Sequence, residues 1–202
     1  MRILLERSDL NPNTADEDGR TPLCMAAGNG HEAVVRILLE RSDVNPNTAD
    51  EDGRSPLCMA AGNGHEGAVR IVLERSYVNP NTADDDGQTP PSWAVQDGGE
   101  EVVRILLGRD AVNLDMLNKF GRTPLLYAAS NGHEGVVKIL LERDDVNPGK
   151  PDKRSLAASP AAAIASFSFL FDPLPIAFLS PQARSKQASF PLKADGIKGV
   201  GM

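Results

Sequence analysis

Residues 62–67 have the sequence Gly-Asn-Gly-His-Glu-Gly, which matches the G-x-G-x-x-G motif of a dinucleotide-binding turn. That chemistry needs a strand before the glycines and a helix after them, so that backbone N–H groups can hold a pyrophosphate. Here the glycines follow a predicted helix, and the equivalent run one period earlier has Ala33 where Gly67 stands. We therefore interpret the match as accidental and expect no nucleotide cofactor.

Two further patterns suggest metal chemistry, and both lack ligands. The Asp-x-Asp-Gly run that begins at residue 16 resembles part of a calcium loop, but Thr14 and Met25 occupy the first and last ligand positions. The His-Glu pair at 31–32 begins a zinc-binding H-E-x-x-H pattern, but Val35 stands where the second histidine is required. With no serine elbow or other nucleophilic motif either, we expect no metal site and no enzymatic activity.

A period of 34 residues organises these patterns. Glycine recurs at that spacing, each time before a Thr-Pro or Ser-Pro pair, at Gly19, Gly53, Gly87 and Gly121. Residues 9–42 and 43–76 differ at only five of their 34 positions. A unit this short cannot bury its apolar face alone, so the period predicts a stacked solenoid.

Each unit predicts two short helices and a turn-rich linker. Thr21 can cap the first helix and Pro22 fits its first position, while glycines at 28–30 end it. The second helix is predicted over about residues 32–41. The apolar faces of the two helices contain Leu23, Ala26, Ala27, Val34, Val35, Leu38 and Leu39. The Asn-Pro-Asn and Asp-Glu-Asp-Gly segments that follow have turn chemistry and predict a projecting hairpin.

The units resemble the ankyrin repeat. The resemblance rests on Asp-x-Asp-Gly-Arg-Thr-Pro-Leu, Ala-Ala-x-x-Gly-His and Val-Val-x-x-Leu-Leu, in that order, over about residues 1–148. It implies an all-α ankyrin-repeat solenoid of stacked helix-turn-helix units with hairpin loops, followed by an irregular tail. It also implies that His31, His65 and His133 are structural. The Asp-Val-Asn-Pro-Asn linker is similar to that of fungal-type ankyrin arrays.

The repeat pattern divides the chain into six segments. They are a partial repeat at 1–8, repeats at 9–42 and 43–76, a degenerate repeat at 77–110, a repeat with an aborted linker at 111–148, and a disordered or irregular tail rich in Ala, Ser, Pro and Phe at 149–202. Because neither end carries a polar capping repeat, the sequence suggests a piece of a longer array. One alternative is a fragment of a larger multidomain sensor or regulatory protein with an enzymatic or nucleotide-binding domain elsewhere, and another is a non-functional truncated gene product.

Several positions depart from the family pattern. Its histidine after Thr-Pro-Leu is replaced in every repeat, by Cys24, Cys58, Ser92 and Leu126, so the histidine's hydrogen bonds between loops are expected to be missing. The two cysteines should be free, because stacked helices lie about 10 Å apart and a disulfide needs Cα atoms within about 7 Å. In the third repeat Pro91 replaces a core leucine, which predicts a weak joint.

The charge and the apolar segments limit the partners and the compartment. Residues 1–148 hold 14 Lys and Arg against 25 Asp and Glu, and this acidic body argues against nucleic acid as a partner. The uninterrupted apolar stretch at 161–171 is too short to cross a bilayer. No N-terminal signal is evident. We expect an intracellular, cytoplasmic protein without a membrane partner and with an unknown oligomeric state.

The resemblance implies a protein–protein interaction module that binds its partner through the concave groove of hairpin tips and first helices. The implied contact positions are Glu17, Asp18, Arg20, Gly28, Asn29, Glu51, Asp52, Arg54, Asn63, Asp85, Asp86, Gln88 and Phe120. Stacking places nine acidic tip residues along one edge, and their summed field would attract a basic partner. The alternative is that these tips are merely solvated turns whose first Asp holds the local backbone.

Overall fold

The computed structural model describes residues 11–109 and 111–149, which form eight helices in four pairs. The helices are α1 Pro22–Gly28, α2 Glu32–Leu39, α3 Pro56–Gly62, α4 Glu66–Leu73, α5 Pro90–Ala94, α6 Glu100–Leu107, α7 Pro124–Ser130 and α8 Glu134–Leu141. This part of the chain contains no strand. The expected all-α solenoid of helix pairs is confirmed. No helix in the described ranges is both long enough and apolar enough to cross a bilayer.

Some predictions fall on parts of the chain that are not described. They concern the partial repeat at 1–8, the tail beyond Gly149 and the apolar stretch at 161–171. Residue 110, at the end of the degenerate repeat, also lies outside the description. The predicted segment boundaries stay predictions.

Each first helix begins at a capping hydroxyl followed by proline, as the sequence predicts. Thr21 Oγ1 accepts a hydrogen bond of 3.2 Å from the backbone N–H of Cys24, and Ser55 caps the next repeat in the same way. Thr89 and Thr123 cap the third and fourth. The cap satisfies an N–H that has no partner inside the helix, and proline occupies a position where no N–H is needed.

The helices stack first on first and second on second. Thus α1 contacts α3, which contacts α5, while α2, α4, α6 and α8 contact one another in turn. The predicted core positions Leu23, Ala27, Leu57, Ala61 and Leu125 are buried. Two predictions at the ends of the stack are wrong: Val34 and Ala129, the residue of the fourth repeat equivalent to Ala27, are only half-buried. The reason is that no further described helix covers the outer side of the first and last pairs.

The linkers form a second set of contacts between repeats. The Asn81 side chain donates to the carbonyl of Ala111 at 2.6 Å and accepts from the N–H of Asn113 at 2.7 Å. Asn13 makes the same pair of bonds to residues 43 and 45. The Asn-Pro-Asn sequence therefore does more than turn the chain, because its last Asn connects each linker to the next.

The third repeat has the shortest first helix. Helix α5 spans five residues, whereas α1, α3 and α7 each span seven. Pro91 is its second residue and is buried. The missing N–H of proline is tolerated there because the first-turn N–H groups of a helix have no intrahelical acceptor.

The cysteines are free and buried, as expected from packing. Where the family has a histidine, the first two repeats have a thiol that contacts the next linker. The Cys24 thiol donates to the carbonyl of Thr48, in the following linker, at 3.4 Å. The thiol of Cys58 lies 3.8 Å from the carbonyl of Thr82. A thiol is a weak donor, so this link replaces the family's histidine only in part.

Candidate partner-binding face

The first residue of each hairpin tip holds the turn. Asp50 Oδ1 accepts the backbone N–H groups of Asp52 at 3.1 Å and Arg54 at 2.8 Å. Asp16, Asp84 and Asn118 make the equivalent bonds in the other repeats. These four side chains therefore accept hydrogen bonds from the backbone of their own tips. This is the role that the alternative interpretation, in which the tips are solvated turns, gives to the first Asp of each tip.

Neighbouring tips are joined directly by backbone hydrogen bonds. The N–H of Glu51 donates to the carbonyl of Asp18 at 3.0 Å, that of Asp85 to Asp52 at 2.9 Å, and that of Lys119 to Asp86 at 2.8 Å. Residues 16–18, 50–52, 84–86 and 118–120 thus form one continuous row, which we call the tip edge.

Two arginines of the predicted contact set are bound within their own hairpins. Arg54 pairs with Asp50 at 3.0 Å and with Asp52 at 2.6 Å. Arg20 pairs with Asp16 at 3.0 Å and also contacts Asp18. The nine acidic residues of the row therefore do not all carry uncompensated charge, because the hairpin brings each arginine back onto the acids of its own tip.

Three carboxylates on the tip edge stay open. Glu17, Glu51 and Asp85 are exposed, and none forms an ion pair with another described residue. Asp86 lies 3.8 Å from the ammonium of Lys119. The open acids occupy the middle position of three adjacent tips, so they form a regular negative row.

The third tip lacks an arginine of its own, because Gln88 occupies that position. Gln88 is only 7% exposed and accepts a hydrogen bond of 2.8 Å from the amide of Gln96. The side chain of Gln88 therefore offers little surface to a partner, and its role as a contact residue stays a prediction. In place of the arginine, the indole Nε1 of Trp93 donates to Asp84 Oδ2 at 2.9 Å.

A row of large side chains on the first helices borders the tip edge. The row, which we call the first-helix row, consists of Met25, Met59, Trp93 and Tyr127. Besides the Trp93 contact with Asp84, the Tyr127 hydroxyl accepts from the amide of Asn118 at 2.8 Å. Sequence reasoning missed these residues, although their 34-residue spacing could have revealed them.

The predicted contacts on the helix–helix turns are partly structural. Asn29 and Asn63 are exposed, but the Asn63 amide donates to the carbonyl of Gly28 at 2.7 Å and that of Asn29 to Met25 at 2.7 Å. Gly28 itself is buried beneath Met59. The Asn63 amide joins two repeats and the Asn29 amide bonds to its own helix, so both donors are already used within the fold.

The fourth repeat gives the edge a different end. Phe120 is 55% exposed at the tip. Arg122 lies over the ring of Tyr127, with 5.5 Å from its guanidinium carbon to the ring centroid. The edge therefore passes from open acids at the first three tips to an aromatic and cationic group at the fourth.

His65 and His133 contact the preceding repeat. His133 Nε2 lies 2.8 Å from the carbonyl of Gln96, and the His65 ring packs on Gly30. Among residues 11–109 and 111–149, no three potential His, Cys, Asp or Glu ligands come together.

Paired helices stacked through hairpin-forming linkers define a helical repeat protein. The sequence model of the family described as ankyrin repeats (3 copies) matches residues 1–84 and 76–152. The chain belongs to the ankyrin-repeat family. No curated protein is similar enough to match it. Ankyrin repeats are in general protein-interaction modules and are typically non-enzymatic.

Proposed function

We propose that this chain binds a protein partner through the tip edge and the adjoining first-helix row, the face expected to be concave. The observation that carries the proposal is the continuity of the two rows. The tips are joined backbone to backbone, and Trp93 and Tyr127 connect the helices to them. Such a surface offers a partner both charge and apolar area on one rigid support.

The charge on this face favours a partner with basic side chains. Glu17, Glu51 and Asp85 are exposed, unpaired with other described residues, and placed on tips in direct contact. Their potentials add along the row and would accelerate encounter with a cationic surface. The same sign of charge disfavours nucleic acid, whose phosphates need a basic face.

The apolar contribution would come from the aromatic side chains beside the acids. Trp93 and Tyr127 are half-buried, and Phe120 is exposed beyond them. Tryptophan and tyrosine are the residues most enriched among energetically dominant interface contacts. We therefore assign Trp93 the role of central anchor and the open acids the role of orienting the partner.

The proposal is tested by site-specific photo-crosslinking followed by a direct binding measurement. The crosslinking amino acid benzoylphenylalanine is placed at Phe120, and at Arg104 on the outer side of α6 as the matched control. A partner captured from Phe120 and not from Arg104 is purified and titrated against the whole chain. Trp93→Ala should weaken its binding about tenfold or more, as expected for a hot-spot residue.

Two results would contradict the proposed binding face. Capture from Arg104 alone, or unchanged affinity of the purified partner for a folded Trp93→Ala chain, would move the interface away from this face. Thermal unfolding of the variant distinguishes loss of the contact from loss of the fold.

A further inference from the structure

Four arginines occupy the same position at the end of the second-helix segment of each repeat. They are Arg41, Arg75, Arg109 and Arg143. In the first and last repeats an aspartate stands two residues later, and arginine and aspartate form a two-pronged ion pair. Arg41 Nε and Nη2 donate to the two carboxylate oxygens of Asp43 at 2.9 and 2.6 Å. The Arg143 pair with Asp145 has both distances at 2.9 Å.

The two central repeats have lost that aspartate and kept the arginine. Tyr77 stands where the acid would follow Arg75, and Ala111 where it would follow Arg109. No described carboxylate pairs with either guanidinium. The Nε of Arg75 is enclosed and has no hydrogen-bond partner, whereas the Nε of Arg41 and of Arg143 each donates to a carboxylate. A charged donor enclosed without an acceptor is unfavourable, and a carboxylate arriving there would relieve it.

Both arginines line one pocket of about 110 Å³. Its remaining walls are Leu73, Ser76, Val78, Pro80 and Ala111. The pocket shares no residue with the tip edge or the first-helix row. Its volume suits a short side chain, and its apolar wall suits the methylene groups that carry a carboxylate.

We infer that this pocket binds the carboxylate of an Asp or Glu side chain from a protein partner, in the place that Asp43 and Asp145 occupy in the outer repeats. The first and last repeats supply the template, because the same arginine position there holds a carboxylate. Rotation of the Arg75 side chain toward the geometry of Arg41 would present both N–H donors to the incoming acid. Arginine matches a carboxylate in this two-pronged manner better than any other side chain.

Tyr77 extends the proposed site outward. It is 58% exposed, the most exposed large apolar or aromatic side chain in the described part of the chain, and follows Arg75 by two residues. An exposed ring beside an arginine pocket provides contact area for the residues that flank the bound acid. The site is separate from the face assigned above, and its partner chemistry is opposite in charge.

The test uses the whole chain and the arginine Nε–H resonances in a two-dimensional NMR spectrum. The probe is the peptide acetyl-Gly-Glu-Gly-amide, with acetyl-Gly-Gln-Gly-amide as the neutral match and inorganic phosphate at equal ionic strength as the second anion. The Glu peptide should shift the Arg75 and Arg109 signals in a saturable manner. The Gln peptide should not.

Two matched pairs of variants identify the site. Tyr77→Asp should restore the internal ion pair with Arg75. The affinity for the Glu peptide should then fall about tenfold or more, because the introduced carboxylate takes the place of the peptide's carboxylate. Tyr77→Asn removes the same ring without adding charge and should retain most of the binding. Ala111→Asp and Ala111→Asn repeat the comparison at Arg109. Both positions are exposed, so all four chains should keep the dispersed amide spectrum of the fold.

Three results would overturn the assignment. Equal shifts with the Glu and Gln peptides would show that charge is not recognised. Equal affinity of the Asp and Asn variants would place the peptide elsewhere. Phosphate binding as tightly as the Glu peptide would indicate a general anion site rather than a site for an acidic side chain. None of these results bears on the partner-binding face, because that face uses other residues.

Discussion

The imidazole of His65 packs directly on the backbone of Gly30, so that a Cβ on Gly30 would lie 2.6 Å from Nδ1. The same relationship joins His133 to Gly98, with a Cβ distance of 2.7 Å. It is missing at Gly64, where a Cβ would meet nothing within 4 Å. The reason is that Gly99 stands one period after His65 and has no ring to place there.

Gly30 and Gly64 therefore separate backbone strain from side-chain packing. Both have positive φ, +69° and +73°. Alanine at either position should lose about 1–2 kcal/mol for adopting the left-handed region. Gly30→Ala should lose about 1–3 kcal/mol more, because the His65 ring must move. Urea unfolding of the two variants measures the difference, and equal losses would contradict the packing role of His65.

Pro91→Leu should stabilise the array. Leu23, Leu57 and Leu125 fill the equivalent buried position, and the proline ring supplies only part of their contact area. We expect a gain of about 1–2 kcal/mol and a higher melting temperature. Thermal unfolding with Pro90→Ala as the control for simple proline removal tests this expectation. An unchanged or lower melting temperature for Pro91→Leu would show that the third repeat has repacked around the proline.

The two thiols should be inert in the folded chain. Burial raises the pKa of the Cys58 thiol to about 11 and also raises that of Cys24. Only the thiolate reacts, so Ellman's reagent should label neither at neutral pH until urea unfolds the array. Because the neutral thiol is favoured in the fold, its stabilising effect is present below the ordinary pKa near 9 and is lost as the pH rises toward 11. Rapid labelling of native Cys58 would contradict its burial.

The linker ion pairs should make stability fall in acid. Hydrogen bonds from Arg41 lower the pKa of Asp43, and those from Arg143 lower the pKa of Asp145. A lowered carboxyl pKa stabilises the fold at pH values above the unfolded pKa of about 4, and the effect disappears as the pH falls through the folded value. Carboxyl-carbon NMR titration should place both groups below their ordinary pKa, and Asp43→Asn should reduce the acid sensitivity. A pKa at or above the ordinary value would exclude a stabilising pair.

Neutralising the open acids should slow partner association. The test chain combines Glu17→Gln, Glu51→Gln and Asp85→Asn, and the control chain combines Glu40→Gln, Glu74→Gln and Glu142→Gln, which remove the same charge from the outer helix ends. The association rate of the partner should fall in the test chain far more than in the control, and added salt should remove the difference. Equal rates in both chains would show that net charge, and not the tip edge, steers the partner. Asp52 is left unchanged because Arg54 already pairs with it.

The sequence by itself determined the parts of this protein that depend on local pattern and period. Thr-Pro at residue 21 fixed a helix start, because a cap and a proline act on their own turn of backbone. The glycines at 34-residue spacing fixed the repeat, and the leucines and alanines between them fixed which side of each helix is buried. The turn-holding role of Asp50 could also be predicted, since its hydrogen bonds reach only two and four residues along the chain.

The tertiary structure decided which polar groups remain available to a partner. Arg54 reads as a contact residue, yet the folded hairpin turns it onto Asp50 and Asp52. Gln88 occupies the same position but is buried against Gln96, eight residues away. Repeat spacing places side chains on a common face, but it does not reveal which neighbour consumes each hydrogen bond. That depends on distances across folded turns and between stacked units. For this reason only the structure shows that the Arg75 Nε has no hydrogen-bond partner among the described residues.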